Sequence, residues 1–97
     1  MALTVLLDLR LKAEAVADAP AMLREILTDT RAFNGCVGVD VLVDAEDSSH
    51  LILLERWASP EADAAYRQWR AGAGATELGS LLASAPQVLQ FETASDI

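Results

Sequence analysis

Three of the five aromatic residues of this 97-residue chain fall within the stretch "ERWASPEADAAYRQW", residues 55–69. Trp57, Tyr66 and Trp69 are suited to line a pocket for a flat ring system, because aromatic side chains offer large apolar faces with a polar edge. Glu55 stands two residues before Trp57 and could act there as a base or a polar anchor. The alternatives are a plain hydrophobic core and a Glu55 paired with an arginine, and the pattern leaves both open.

A strand must position the first part of this group. The run "HLILLERW" (50–57) is dense in aliphatic residues and follows a polar turn, which predicts the returning strand of a hairpin. Alternation along a strand places Leu53, Glu55 and Trp57 on one face. We therefore expect Glu55 to lie near the cavity that Trp57 faces.

A helix must position the second part. Ser59-Pro60-Glu61 has the order of a helix start, with a hydroxyl N-cap, proline in the first turn and an acid near the positive end of the dipole. The helix then carries an inward stripe at spacings i, i+3, i+4 and i+7, which consists of Ala62, Ala65, Tyr66 and Trp69. Strand and helix can thus direct the aromatic residues into one shared space.

The other segments give the remaining strands and helices of the predicted element order. Residues 3–11 predict a strand, residues from about 18 to 33 an amphipathic helix ended by Asn34-Gly35, and residues 36–44 the outgoing strand of the hairpin. Alternation along residues 36–44 places the four valines, Val37, Val39, Val41 and Val43, on one face of that strand. A short helical piece (76–84) and a last strand (87–93) follow. The order β-α-β-β-α-(α)-β predicts an α+β, ferredoxin-like split β-α-β fold with a four-stranded antiparallel sheet, in one domain spanning 1–97.

Several of the predicted strands are apolar on both faces, as "TVLL", "VLV" and "LILL" illustrate. Helices cover only one face of such a sheet, and a large apolar face is rarely left in water. We therefore expect a homodimer in which two sheets pack face to face as a dimeric α+β barrel.

Composition narrows the classes of partner. A net charge of −8 and a pI near 4.3 argue against nucleic acid and against anionic membranes, and no apolar run is long enough to span a bilayer. With one cysteine, one histidine and no signal-peptide pattern, we expect a cytoplasmic protein without a disulfide or a protein-only metal site.

Three motifs carry a resemblance to a known family. Gly35-Cys36 opens the second strand, Glu55-Arg56-Trp57 ends the third, and Ser59-Pro60-Glu61-Ala62 opens the next helix. With this pattern the chain resembles the antibiotic biosynthesis monooxygenase family of dimeric α+β barrels, over nearly its whole length.

The resemblance implies a pocket between the sheet and its own helices. It implies a cofactor-independent monooxygenase that uses dioxygen on a small aromatic, quinol or polyketide-like substrate, without metal or flavin. In this interpretation Trp57 and Glu55 are the catalytic candidates, and Trp57, Tyr66, Trp69, Leu53 and Arg67 form the substrate-binding set. Arg67 would stabilise an oxyanion from the helix edge.

The chain also departs from the best-understood members of the family. The resemblance places Leu53 where they have asparagine, Asp63 where they have tyrosine, and Glu77 near their arginine, so that only Trp57 carries over. Two further hypotheses therefore stand beside the monooxygenase. One is a non-catalytic small-ligand-binding or structural dimeric module, and the other is a non-redox enzyme, such as an isomerase, on the same scaffold.

Overall fold

The computed structural model describes residues 2–97 and has four strands, two α-helices and two short 3-10 turns. In chain order these are β1 (Leu3–Arg10), a 3-10 turn (Ala13–Ala15), α1 (Ala19–Ala32), β2 (Cys36–Asp44), β3 (Asp47–Trp57), α2 (Pro60–Ala71), a 3-10 turn (Leu78–Leu81) and β4 (Gln87–Glu92). The sheet has the order β2-β3-β1-β4 with antiparallel neighbours, which is the ferredoxin-like arrangement. The predicted fold class is confirmed.

The two helices begin where the sequence predicts, but only one has a side-chain cap. The Ser59 hydroxyl accepts a hydrogen bond from the Ala62 backbone N–H at 3.1 Å, and Pro60 opens α2. At the start of α1, Asp18 makes no such bond, and Pro20 lies in the first turn. The predicted third helix is instead the 3-10 turn Leu78–Leu81, because Gly79 and the nearby Pro86 disfavour a longer helix.

Gly35 makes the turn between α1 and β2 possible. Its φ is +93°, a conformation that side chains with a Cβ rarely adopt, and a Cβ at this position would collide with the side chain of Ala62. The tight turn brings the start of β2 against the start of α2.

The register of the sheet fixes which side chains face the helices. Leu3 pairs with Trp57 and Val5 with Glu55, so that these four residues lie on the helix-covered face. Leu51, Leu53, Glu55 and Trp57 are all buried there, which confirms the predicted alternation of β3.

A bulge changes the predicted alternation of β2. The register shifts between Cys36 and Gly38, so that Cys36 pairs with Trp57 and packs with the core, while Val37 is 67% exposed. The sequence pattern placed Val37 and Val39 on the same face, whereas only Val39 is buried. One extra residue in the strand moves Cys36 to the opposite face.

The second sheet face is uncovered in the single chain. Leu42, Leu89 and Phe91 lie on it and are 46%, 46% and 51% exposed. Leu6 and Leu54, paired across β1 and β3, belong to the same face and are partly buried. We call this side of the sheet the open face. Its exposed leucine and phenylalanine side chains confirm that it is apolar, as predicted.

Candidate functional site

An aromatic cluster fills the space between β3 and the two helices. Its members are Phe33, Trp57, Tyr66 and Trp69. The rings of Trp57 and Tyr66 lie 4.8 Å apart between centroids, and Phe33 contacts the other three at 5.3 to 6.2 Å. Trp57 has no exposed surface and Tyr66 is 4% exposed. These separations are typical of aromatic rings in direct contact, so the cluster is closed and leaves no gap between its rings.

Glu55 is held in a buried ion network at the edge of this cluster. Its carboxylate accepts hydrogen bonds from the Trp57 indole N–H at 3.1 Å and from the Arg67 guanidinium. Arg67 also donates to Asp63 at 3.0 Å, and the Gln90 amide donates to the other oxygen of Asp63 at 2.6 Å. Both carboxylate side chains are only 2% exposed. Glu55 is therefore paired with an arginine, which is one of the two alternatives that the sequence left open.

Tyr66 is tied into a second polar network. Its hydroxyl lies 2.6 Å from the Thr30 hydroxyl and accepts a hydrogen bond from Arg70 Nε at 2.8 Å. Arg70 also donates to the Ile26 carbonyl and to the Thr30 hydroxyl. These bonds join α2 to α1 and use the hydrogen-bonding capacity of the phenol.

A separate cavity of about 410 Å³ lies between α1 and the β2–β3 end of the sheet. Its walls are mainly aliphatic, and we call it the α1 cavity. The residues that line it are Leu11, Val16, Ala19, Pro20, Leu23, Arg24, Leu27, Arg31, Val41, Val43, Ser48 and Leu51. A predominantly apolar concavity of this size, with a few polar groups, is typical of a small-molecule site.

Comparison with known protein families matches residues 2–78 to the family described as "Antibiotic biosynthesis monooxygenase". The chain belongs to this family. The resemblance carried by Gly35-Cys36, Glu55-Arg56-Trp57 and Ser59-Pro60-Glu61-Ala62 is therefore confirmed. β4 lies beyond the matched segment.

Several solved structures share this fold at low sequence identity. The Mycobacterium tuberculosis protein Rv0793 is 25% identical, with a TM-score of 0.77 and coverage of 98% of this chain and 97% of that one. A conserved protein from Methanosarcina mazei Go1 is 17% identical with a TM-score of 0.85, and the two chains are covered to 97% and 94%. A structure described as an antibiotic biosynthesis monooxygenase is 22% identical, with a TM-score of 0.77 and coverage of 95% and 98%. Among curated proteins no significant match was found.

Five of the six residues predicted for the family site come together, and Leu53 packs in the neighbouring core cluster instead. None of the six lines the α1 cavity. Trp57, Tyr66 and Trp69 belong to the aromatic cluster, and Glu55 and Arg67 form the ion pair beside it. Leu53 is 2% exposed and packs in the same core cluster as Leu23, Leu27 and Leu51, which do line the cavity. The catalytic and substrate-binding roles of these six residues stay predictions.

The resemblance implied a pocket between the sheet and its helices, but the sequence identified neither the fourth ring, Phe33, nor the residues that line the α1 cavity. Phe33 is the last residue before Asn34-Gly35, and a helix end gives no periodic signal for its direction. Arg24 and Arg31 occur on α1 among other charged residues, and only the packing of α1 over β2 and β3 gives them a cavity to face. Within residues 2–97, no group of three or more acidic, cysteine or histidine side chains is arranged to hold a metal ion.

His50 lies on the open face in a cluster of charges. Its Nδ1 is 2.8 Å from Asp44 and its Nε2 is 2.9 Å from Asp8, and its side chain is 16% exposed. The hydrogen bond with Asp44 is the main reason why the pKa of His50 is raised, and the same bond lowers the pKa of Asp44. The register of β1 and β3 pairs His50 with Arg10, and this position places the imidazole between the two carboxylates.

Cys36 has the environment of a packing residue. Burial is the main reason why the pKa of its thiol is raised, which disfavours the reactive thiolate. Neither helix within residues 2–97 combines the length and the hydropathy needed to cross a membrane.

Proposed function

We propose that this protein is a cofactor-independent monooxygenase that acts on a small aromatic, quinol or polyketide-like substrate. Membership of the family supports the class of reaction. With an anthrone-type substrate, a methylene carbon loses two hydrogens and gains one oxygen atom as a carbonyl, and the second oxygen atom of dioxygen leaves as water. All the electrons that dioxygen accepts come from the substrate, so the protein has to bind the ring system, favour its deprotonated form and exclude bulk water.

We place the substrate in the α1 cavity, and the observation that carries this proposal is the cavity's volume and apolar lining. A volume of about 410 Å³ suits a molecule of two or three fused rings. Leu23, Leu27 and Leu51 form its inner wall and Val43 lies in its β2 wall, so flat apolar surface would be buried on both sides of a bound ring.

The aromatic cluster is the second place at which a substrate could bind. Substrate contact with Trp57, Tyr66 and Trp69, and proton transfer to Glu55, require the rings to separate and Arg67 to release the carboxylate. We retain these residues as candidates, to be tested against the cavity.

The first test is oxygen consumption with anthrone and hydroquinone substrates under air, without added metal or flavin. Val43→Trp, which narrows the cavity, should lower the rate at least tenfold. The matched control Val37→Trp adds the same ring on the same strand at a residue that is 67% exposed and outside the cavity lining, and should leave the rate unchanged. Loss of activity in Trp57→Phe but not in Val43→Trp would move the site to the aromatic cluster. No oxygen uptake with any substrate would refute the monooxygenase.

The second candidate function is a non-catalytic small-ligand-binding module. It is favoured by the closed packing of the aromatic cluster and by the pairing of Glu55, which leaves no free carboxylate beside the rings. A module of this kind would raise its thermal midpoint with aromatic ligands and consume no oxygen, whereas the monooxygenase would raise its thermal midpoint and consume oxygen.

We also propose that the protein is a homodimer, with the open face as the interface. Leu42, Leu89 and Phe91 present exposed apolar surface on a sheet face that no helix of residues 2–97 covers. Replacement of Leu89 and Phe91 by aspartate should give a monomer in size-exclusion chromatography with light scattering. A monomeric wild-type protein at micromolar concentration would contradict the proposal.

A further inference from the structure

The charged side chains that line the α1 cavity have the opposite sign to the net charge of the chain. The sequence has 15 acidic residues against 7 lysines and arginines. The cavity lining nevertheless includes two arginines, Arg24 and Arg31, and no acidic residue. This local inversion of charge favours an anionic ligand.

Neither arginine is used for an ion pair elsewhere in the described chain. Within residues 2–97, the paired arginines are Arg10, Arg56 and Arg67, whereas Arg24 and Arg31 contact no carboxylate. Arg31 donates one hydrogen bond, from Nη2 to the Val39 carbonyl at 2.9 Å. This bond holds its guanidinium against β2 and leaves its other N–H groups without a partner among the described residues.

The positions of the two arginines put them at the solvent side of the cavity. Both residues are exposed, although both contribute to its lining. They stand seven residues apart on α1, which is about two helical turns or 10 Å, so their long side chains can approach a group that lies between them. The apolar walls lie deeper, at Leu23 and Leu27.

The cavity lining also has no side chain that could take a proton from a substrate. Its polar residues are Arg24, Arg31 and Ser48, with no carboxylate and no imidazole. A guanidinium cannot act as a base at neutral pH. A substrate ionised in this cavity must therefore lose its proton to water, and a nearby positive charge makes that loss easier.

We propose that the α1 cavity binds an organic anion, a flat apolar body with one ionised oxygen, and that Arg24 and Arg31 select and stabilise this ionised form. The inference rests on the proposed function only for the placement of the substrate in this cavity. It narrows the substrate to molecules with an acidic phenol or enol at one end, which would lie between the arginines while the rings fill the aliphatic part.

The probe for the test is 4-nitrophenol, whose ionised form absorbs visible light and which is too electron-poor to be oxidised by dioxygen. Titration of the bound probe should show its apparent pKa lowered by about one unit, since an opposite charge within contact range shifts a pKa by roughly one to three units. Arg24→Gln should reduce this shift and weaken binding of the phenolate several-fold. The ether 4-nitroanisole, which cannot ionise, should bind wild type and Arg24→Gln equally.

Arg56→Gln is the matched control, because it removes the same charge from the other face of the sheet, where Arg56 pairs with Asp40 at 3.2 Å. The Arg56→Gln variant should lower the apparent pKa of the bound probe as much as wild type does. Arg31→Gln should act like Arg24→Gln, but it also removes the bond to Val39, so Arg24→Gln is the decisive variant.

An unshifted pKa of the bound probe, an equal shift in Arg24→Gln, or no binding of the probe would overturn the inference. The readout needs no turnover. If the probe's pKa shift depends on Arg24 and no anthrone or hydroquinone substrate is oxidised, anion binding is supported and the monooxygenase is refuted. If those substrates consume oxygen and the probe's pKa is not shifted, the monooxygenase is supported and anion binding is refuted.

Discussion

Replacement of Arg67 by methionine should destabilise the protein by about 3 kcal/mol. Arg67 is the shared partner of Glu55 and Asp63, whose side chains are only 2% exposed. After the substitution, Glu55 keeps one neutral donor, the Trp57 indole, and Asp63 keeps the Gln90 amide. Removing one partner of a buried ion pair costs about 3 to 5 kcal/mol, and the 27% exposure of Arg67 argues for the lower end.

The assay is urea unfolding of wild type and variant at one protein concentration, since a dimer would make stability depend on concentration. With a slope of about 1.5 kcal/mol per molar urea, the midpoint should fall by about 2 M. Arg56→Met is the control, because the Arg56–Asp40 pair has side chains 51% and 61% exposed in the single chain. Since this pair lies on the proposed dimer interface, both variants are compared in the background that carries aspartate at Leu89 and Phe91. Its loss should cost at most about 1 kcal/mol.

A triple variant separates the charge effect from lost packing. Combining Arg67→Met with Glu55→Gln and Asp63→Asn removes the two buried negative charges and should recover part of the stability. If Arg67→Met costs no more than Arg56→Met, or if the triple variant is no more stable than Arg67→Met, the buried charges are not what makes Arg67 important.

Three further variants test local features. Asp44 raises the pKa of His50 above 6.5, so the His50 ion pairs stabilise the fold below pH 6.5 and are lost as the pH rises through the raised value. The difference in thermal midpoint between wild type and His50→Gln should therefore shrink with rising pH. A difference that stays constant with pH would show that the charge of His50 does not contribute to stability. Ser59→Ala removes the acceptor for the Ala62 N–H and should cost about 1 kcal/mol in urea unfolding, where no change would mean that water caps α2 equally well. Gly35→Ala should cost about 2 kcal/mol in the same assay, from its positive φ and the contact with Ala62, and a neutral effect would show that the turn relaxes freely.

The element order could be predicted because local signals agree with one another along most of this chain. Ser59-Pro60 begins α2, Gly35 ends the turn after α1, and the aliphatic alternation of residues 51–57 has the period of a strand. Where the predictions failed, a local pattern was ambiguous. The β2 bulge lies beside Gly38, and an isolated glycine in a strand is one signal of a bulge, but the alternation of four valines suggested a regular strand.

The candidate site could be predicted only in part. Alternation brought Glu55 and Trp57 to the helix face, and helical spacing brought Tyr66 and Trp69 to the sheet. Neither period shows whether rings that converge leave a gap between them. That depends on the fourth ring, Phe33, which fills the space from the end of α1.

The hydrogen-bond partners of charged groups could not be predicted, because they are far apart in the sequence. Gln90 reaches Asp63 across 27 positions, and His50 reaches Asp8 across 42. The first pair joins β4 to α2, and the second joins the neighbouring strands β3 and β1. No local pattern encodes which of these groups will meet.

The sequence by itself determined the elements, the fold class, the family and the apolar character of both sheet faces, because each depends on residue types at short, regular spacings. Only the tertiary structure decided that the aromatic cluster is closed, that Glu55 is paired with Arg67, and that the cavity lies beneath α1. The physical reason is that packing depends on volumes and register summed over several elements. A cavity or a filled core then follows from differences of a few ångströms that no single segment contains.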